Sequence, residues 1–174
     1  MIDRTEIQLS KTKLLLIAIG SAAFVGLGIW FIINPNEIRP NQQTLILIIG
    51  ASAILFFGVC FIFIVRKMFD NKIGLVIDEN GITDNSSGTS VGLINWEDIN
   101  EIGTAQVAST KFILIGTTDA NKYINRATNA ISKRAMKANN KMYGTPLSIA
   151  SNTLKIKHDE LFDKINQGFE IMKK

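Results

Sequence analysis

The chain has 174 residues, 47% of them apolar, a formal charge of +4, and a single cysteine and a single histidine. One cysteine, Cys60, excludes an internal disulfide, a CxxC redox pair and a cysteine-built zinc cage. The apolar residues crowd before Val65 and thin to ordinary density after it, so the chain divides into a greasy first third and one small water-facing domain.

Residues 1–13 form a short polar lead-in. Leu14 to Ile33 ("LLLIAIGSAAFVGLGIWFII") then runs twenty residues without a charge, and Thr44 to Val65 ("TLILIIGASAILFFGVCFIFIV") twenty-two. At about 1.5 Å rise per residue each covers a hydrocarbon core of roughly 30 Å. Both are expected to span a membrane, since the apolar stretch of a signal peptide usually stops near 7 to 15 residues. The link 34–43, "NPNEIRPNQQ", holds two prolines that end the first helix and turn the chain back.

Arg4, Lys11 and Lys13 precede the first span and Arg66, Lys67 and Lys72 follow the second, whereas the link carries only Arg39. The positive-inside bias therefore places both termini in the cytoplasm. Small residues (Gly20, Ala23, Gly26 and Gly28; Gly50, Ala51, Ala53 and Gly58) would let the two helices pack closely. Neither span contains an Asp, Glu, Lys, Arg or His, which removes the usual signature of a proton relay or ion pathway.

Residues 70–174 form the expected cytoplasmic domain. In "IGLVIDENGITD" a short apolar run meets Asn80-Gly81, a hairpin signal because both residues tolerate positive φ. "SSGTS" (86–90) marks a second turn, and "VGLINW", "DINEIGTAQVA" and "KFILIGTT" supply further strands. Ala120, Ile124, Ala127, Ile131, Ala135 and Ala138 then recur at three- and four-residue steps, predicting one helix over Asp119–Asn139 with Asp119 as its N-cap. After Tyr143-Gly144-Thr145-Pro146, "LSIASNTLKI" returns to strand character. Leu161, Phe162, Ile165, Phe169 and Met172 give the closing segment an amphipathic helical stripe.

The segment "GLVIDENGITDNSSGTSVGLINWEDINEI" resembles the start of bacterial PH-like (pleckstrin-homology-like) domains, in which a G-I hairpin is followed by a W-x-D-I strand end. The likeness covers about Ile73 to Met172, and with the two spans it resembles an uncharacterised group of bacterial two-span membrane proteins. It implies an α+β membrane protein: a transmembrane hairpin, then a bent antiparallel sheet or barrel plugged by a C-terminal helix, here with an inserted helix. Trp96 and Ile99 are expected to fill the interior where the sheet bends, with Glu97 and Asp98 facing water. The resemblance implies recognition of a protein or lipid headgroup at the bacterial inner membrane. Some two-span relatives of this kind are associated with self-protection against membrane-active peptides, so an immunity or envelope-stress role is an alternative. Service as an accessory subunit of a transporter or enzyme is another.

Charge is the one further functional clue. From Leu75 to Gln106 every ionisable residue is acidic, and from Ala120 to Lys141 every charged residue is basic. On a single helix Lys122, Arg126, Lys133 and Lys137 would share one face, opposite Ile124 and Ile131. Their like-charge i, i+4 pairs cost a few tenths of a kcal/mol each, against about 1 kcal/mol gained per cation at an anionic leaflet. These four are the candidate anionic-surface residues, and a merely solvated face is the bland alternative. No aromatic residues interleave with the cations, which disfavours nucleic acid. The sequence carries no GxxxxGK[ST], HExxH or GxSxG motif. His158 sits beside Asp159 at the start of the last helix as a surface or capping residue. The expectation is a binding module without catalysis, metal or cofactor.

Overall fold

The computed structural model describes residues 3–108 and 110–173, which divide into two units: Met1–Ser10 with Lys72–Lys174, and Lys11–Asn71. The second unit is a helical hairpin, α1 (Lys11–Ile33), a single turn α2 (Pro35–Ile38) and α3 (Gln43–Met68). Pro35 opens α2, where a missing N–H costs nothing. α1 and α3 are long and apolar enough to cross a membrane, and only 17% and 11% of their most apolar stretches are buried within the protein. A soluble core helix would be mostly buried.

Glycine lets these two helices meet. A Cβ on Gly50 would stand 2.8 Å from the Gly28 carbonyl oxygen, and one on Gly28 would stand 2.9 Å from that of Gly50. Phe24 and Phe57 stack at 4.4 Å between centroids. The hydroxyl of Ser21, buried among apolar groups, is satisfied within its own helix by donating to the Ile17 carbonyl at 2.9 Å.

The other unit is built from both sides of the hairpin. β1 (Thr5–Ile7), taken from the lead-in before the first span, pairs antiparallel with β2 (Leu75–Asp78), aligning Thr5 with Ile77. β3 (Gly81–Asp84) and β4 (Gly92–Asn95) complete a four-stranded sheet in the order β1-β2-β3-β4. The hairpin expected from Asn80-Gly81 forms between β2 and β3, but its two loop residues are Glu79 and Asn80, and Gly81 opens β3 opposite Asp78; glycine is required there, because at φ +152° a Cβ on Gly81 would run into the Ile94 carbonyl. β5 (Ile99–Val107), β6 (Thr110–Thr117) and β7 (Leu147–Ala150) form a second antiparallel sheet.

These sheets are not closed into a barrel, which corrects the barrel form of the expected fold. One corner is covalent, through a 3-10 turn at Trp96–Asp98 between β4 and β5. At another, Leu9 bridges Leu154, with Ser10 N–H donating to the Thr153 carbonyl at 2.8 Å and Lys155 N–H to that of Gln8 at 2.9 Å. A single bridge there, in place of a continuous ladder, leaves two sheets instead of one cylinder.

Between them lies the core: Leu75, Ile77, Ile82, Ile94, Ile113, Ile115, Ile149 and Leu154 are at most 2% exposed. α6 (His158–Met172) contributes Leu161, Ile165 and Phe169 from its predicted stripe, while Met172, at 45% exposed, falls outside it. Gly168 brings α6 onto Trp96, whose ring would lie 2.8 Å from a Cβ at that position. The indole is buried and its N–H donates to the Asp78 carbonyl at 2.8 Å. Trp96 and Ile99 thus fill the interior, as the sequence leads one to expect.

Candidate anionic-surface site

The basic segment folds as two helices, not the single helix expected over Asp119–Asn139: α4 (Ala120–Ile124) and α5 (Ala130–Tyr143). Asp119 caps α4, accepting from the Lys122 N–H at 3.0 Å, as predicted. The break follows from "NRATN" (125–129). Arg126 N–H turns back to the Tyr123 carbonyl and Ala127 N–H to that of Ile124, tightening the end of α4. Asn129 then starts a new helix by accepting from the Ser132 N–H at 2.8 Å. Gly144, at φ +77°, ends α5 in the left-handed conformation.

This break resets the helical phase. Tyr123 and Ile124 of α4 are buried, but α5 buries Ser132 and Met136 and leaves Ile131 78% exposed. The expected Ile124/Ile131 face therefore does not exist as one surface. Asn139 fixes the inner side of α5 by donating to the Ser148 hydroxyl on β7 at 3.1 Å.

The four candidate cations fall into two settings. Lys122 pairs with Asp98 at 2.6 Å, and Arg126 donates to the Leu93 carbonyl at 2.7 Å with its guanidinium 5.3 Å from the Tyr123 ring centre. Both are tied to the sheet. Lys133 reaches the Asn125 side-chain oxygen at 3.1 Å and Lys137 points from exposed α5. Arg134 and Lys141, which the single-helix phase leaves out of the stripe, share this exposed α5 face with Lys137, within about 60° at 100° per residue. Among the described residues none of Arg134, Lys137 and Lys141 forms an ion pair.

Asp98 does not simply face water beside Glu97. Its carboxylate also accepts from the Tyr123 hydroxyl at 2.6 Å, while that hydroxyl accepts from the Asn95 N–H at 3.3 Å. The hydrogen bond from Lys122, then that from Tyr123, holds the Asp98 carboxyl below the usual range. Burial, then the bond to Asp98, pushes the Tyr123 phenol up to about 12. The cluster latches α4 onto the turn between the two sheets.

Elsewhere, Asp84 is buried and accepts from the Ser86 N–H at 2.8 Å and from the Ser86 and Ser90 hydroxyls, each at 2.6 Å, which orders the "SSGTS" turn. His158 opens α6 next to a surface cavity of about 420 Å³ shared with Lys111, Asp159 and Phe162. Among the described residues no group of three or more His, Cys, Asp or Glu side chains is placed to hold a metal ion. Comparisons with protein-family models, with curated proteins and with solved structures find no match.

Proposed function

We propose that this protein is a membrane-anchored binding or scaffolding module without catalysis, whose α+β unit is PH-like and recognises a protein partner or anionic lipid headgroups at the cytoplasmic face of a bacterial inner membrane. One observation carries the reading. The apolar hairpin is inserted into the folded unit, whose strands β1 and β2 lie on either side of it in sequence and pair with each other. Connectors of three residues (8–10) and six residues (69–74) separate these strands from the helices. A hairpin entered and left through one folded unit works as an anchor with both ends on the same side, and its apolar spans (14–33 and 44–65) carry no Asp, Glu, Lys, Arg or His that would serve transport.

The PH-like assignment is supported by the four- and three-stranded antiparallel sheets, by Trp96 at their junction and by α6 seated on that tryptophan. An accessory role draws support from a separate feature: Gly20, Gly26 and Gly58 have open space around them, room for another membrane helix. The full chain expressed in bacteria is expected to resist alkaline carbonate extraction. Protease added to inverted inner-membrane vesicles should digest the α+β unit, and protease added to right-side-out spheroplasts should not. Release by carbonate, or digestion from the periplasmic side, overturns the reading.

A further inference from the structure

The exposed side of α5 combines two features that a solvated helix does not need. Arg134, Lys137 and Lys141 form a basic edge without an acidic neighbour on either helix of the segment. Directly alongside, one turn and three turns apart, Ala138, Ile131 and Met142 form an apolar edge, with Ile131 78% and Met142 68% exposed. The opposite side, Ser132 and Met136, is buried against the unit's own core. The apolar residues are therefore not surplus core that failed to pack. Basic and apolar edges side by side on one outward helix face are the pattern of a helix lying in the headgroup region of a bilayer, where cations meet anionic lipid and aliphatic tips enter the acyl boundary.

We infer that α5 docks on an anionic lipid leaflet, with Arg134, Lys137 and Lys141 on the headgroups and Ile131 and Met142 inserted beneath them. The inference rests on the membrane-anchor reading and names the ligand of that module. The like-charge neighbours Arg134/Lys137 and Lys137/Lys141 cost α5 a few tenths of a kcal/mol each, which an anionic surface would offset. Lipid is favoured over an acidic protein by the exposed Ile131 and Met142 beside those cations, which an acyl boundary would cover. The chain also carries two helices long and apolar enough to cross a bilayer, so a leaflet is the surface its unit meets at high effective concentration. Lys122 and Arg126 are excluded from the docking set because Asp98 and the Leu93 carbonyl hold them.

The test uses the full chain in nanodiscs of phosphatidylcholine alone or mixed with phosphatidylglycerol. In a Cys60→Ala background, Ile131→Cys or Met142→Cys carries a nitroxide, with Glu170→Cys on α6 as the control. In phosphatidylglycerol discs the labels at 131 and 142 should gain oxygen accessibility over that to a water-soluble nickel complex, and the label at 170 should not. At about fivefold per cation, changing Arg134, Lys137 and Lys141 to Gln should cut the docked-to-free ratio on the order of a hundredfold at low salt. The charge-preserving set Arg134→Lys, Lys137→Arg and Lys141→Arg should retain docking. Labels that stay aqueous, protection equal in the two lipids, or protection that arises only on adding an acidic protein would each overturn the inference while leaving the anchor intact. A chain that fails to enter the discs overturns both.

Discussion

Replacing Tyr123 with Phe isolates the latch between the basic segment and the sheets. The ring is fully buried, so Phe preserves its packing and removes only the hydroxyl that donates to Asp98 at 2.6 Å and accepts from the Asn95 N–H at 3.3 Å. A hydrogen bond to a charged group contributes about 1.5–3 kcal/mol. Asp98 keeps Lys122, which places the expected loss near the lower end, about 1.5–2 kcal/mol. For a unit of this size that lowers Tm by roughly 6–16 °C. The same hydroxyl imposes a pH dependence with a definite sign. Because the folded phenol is raised from 10 to about 12, its contribution is complete below pH 10 and drains away as pH climbs from there through about 12. The assay is urea unfolding of the full chain in nanodiscs, followed by Trp96 fluorescence in a Trp30→Phe background where Trp96 is the sole tryptophan. Tyr123→Phe should be less stable at pH 8 and should lose the phenol-linked part of the alkaline decline. A variant that matches the parent at pH 8 and declines in parallel above pH 10 would refute the reasoning.

Lys122→Gln should weaken the same latch by about 1 kcal/mol, since the lysine is 41% exposed, and should leave lipid docking of α5 unchanged in the spin-label assay. The Asp98 carboxyl is held low, so the stability it supplies is present above the ordinary Asp range and disappears as pH falls; Asp98→Asn should flatten that acid limb in urea titrations between pH 5 and 3. Gly168→Val places carbon against the Trp96 ring and should cost about 1–3 kcal/mol, visible as a shifted Trp96 emission as well as a lower Tm. Gly50→Val should loosen the α1–α3 contact by a similar amount, measured by SDS-induced unfolding of the hairpin, because the Gly28 carbonyl has no room to yield. A fragment starting at Met68 lacks Ile7 and Leu9, which are 6% and 7% exposed; losing them removes about 3–6 kcal/mol of burial, so urea unfolding of the fragment should lack a cooperative transition.

Elements set by strong local chemistry were legible in the sequence. The two apolar runs became α1 and α3 with slightly extended ends, the Asn-Gly signal became the β2–β3 hairpin with its loop one residue earlier at Glu79-Asn80, and Leu161, Ile165 and Phe169 became the buried stripe of α6. β1 was not legible, because "TEI" has only three residues and its partner lies beyond the whole hairpin; pairing across such a separation leaves no local signature. Barrel closure was equally unreadable, since it depends on whether distant edges continue a ladder or stop after one bridge at Leu9 and Leu154.

The candidate site shows why a charge pattern is easier to see than to place. A basic run after an acidic one reads as two surfaces, yet Lys122 and Asp98 are each other's partners across the junction, and Arg126 is spent on a backbone carbonyl. What moved the site was a cap. Asn129 preceding Ala-Ile-Ser is an N-cap signal in the sequence, but the alanine and isoleucine periodicity running through it favours one uninterrupted helix. Once Asn129 captures the Ser132 N–H, α5 is rephased against α4, Ile131 turns outward, and Lys133 and Lys137 no longer continue the face of Lys122 and Arg126. A capping bond is commonly worth about 1 kcal/mol, and it decides here which cations share a face. The exposed isoleucine, a defect if α5 is only a solvated helix, becomes the most informative residue of the segment, because it separates a surface that water covers from one that a bilayer does.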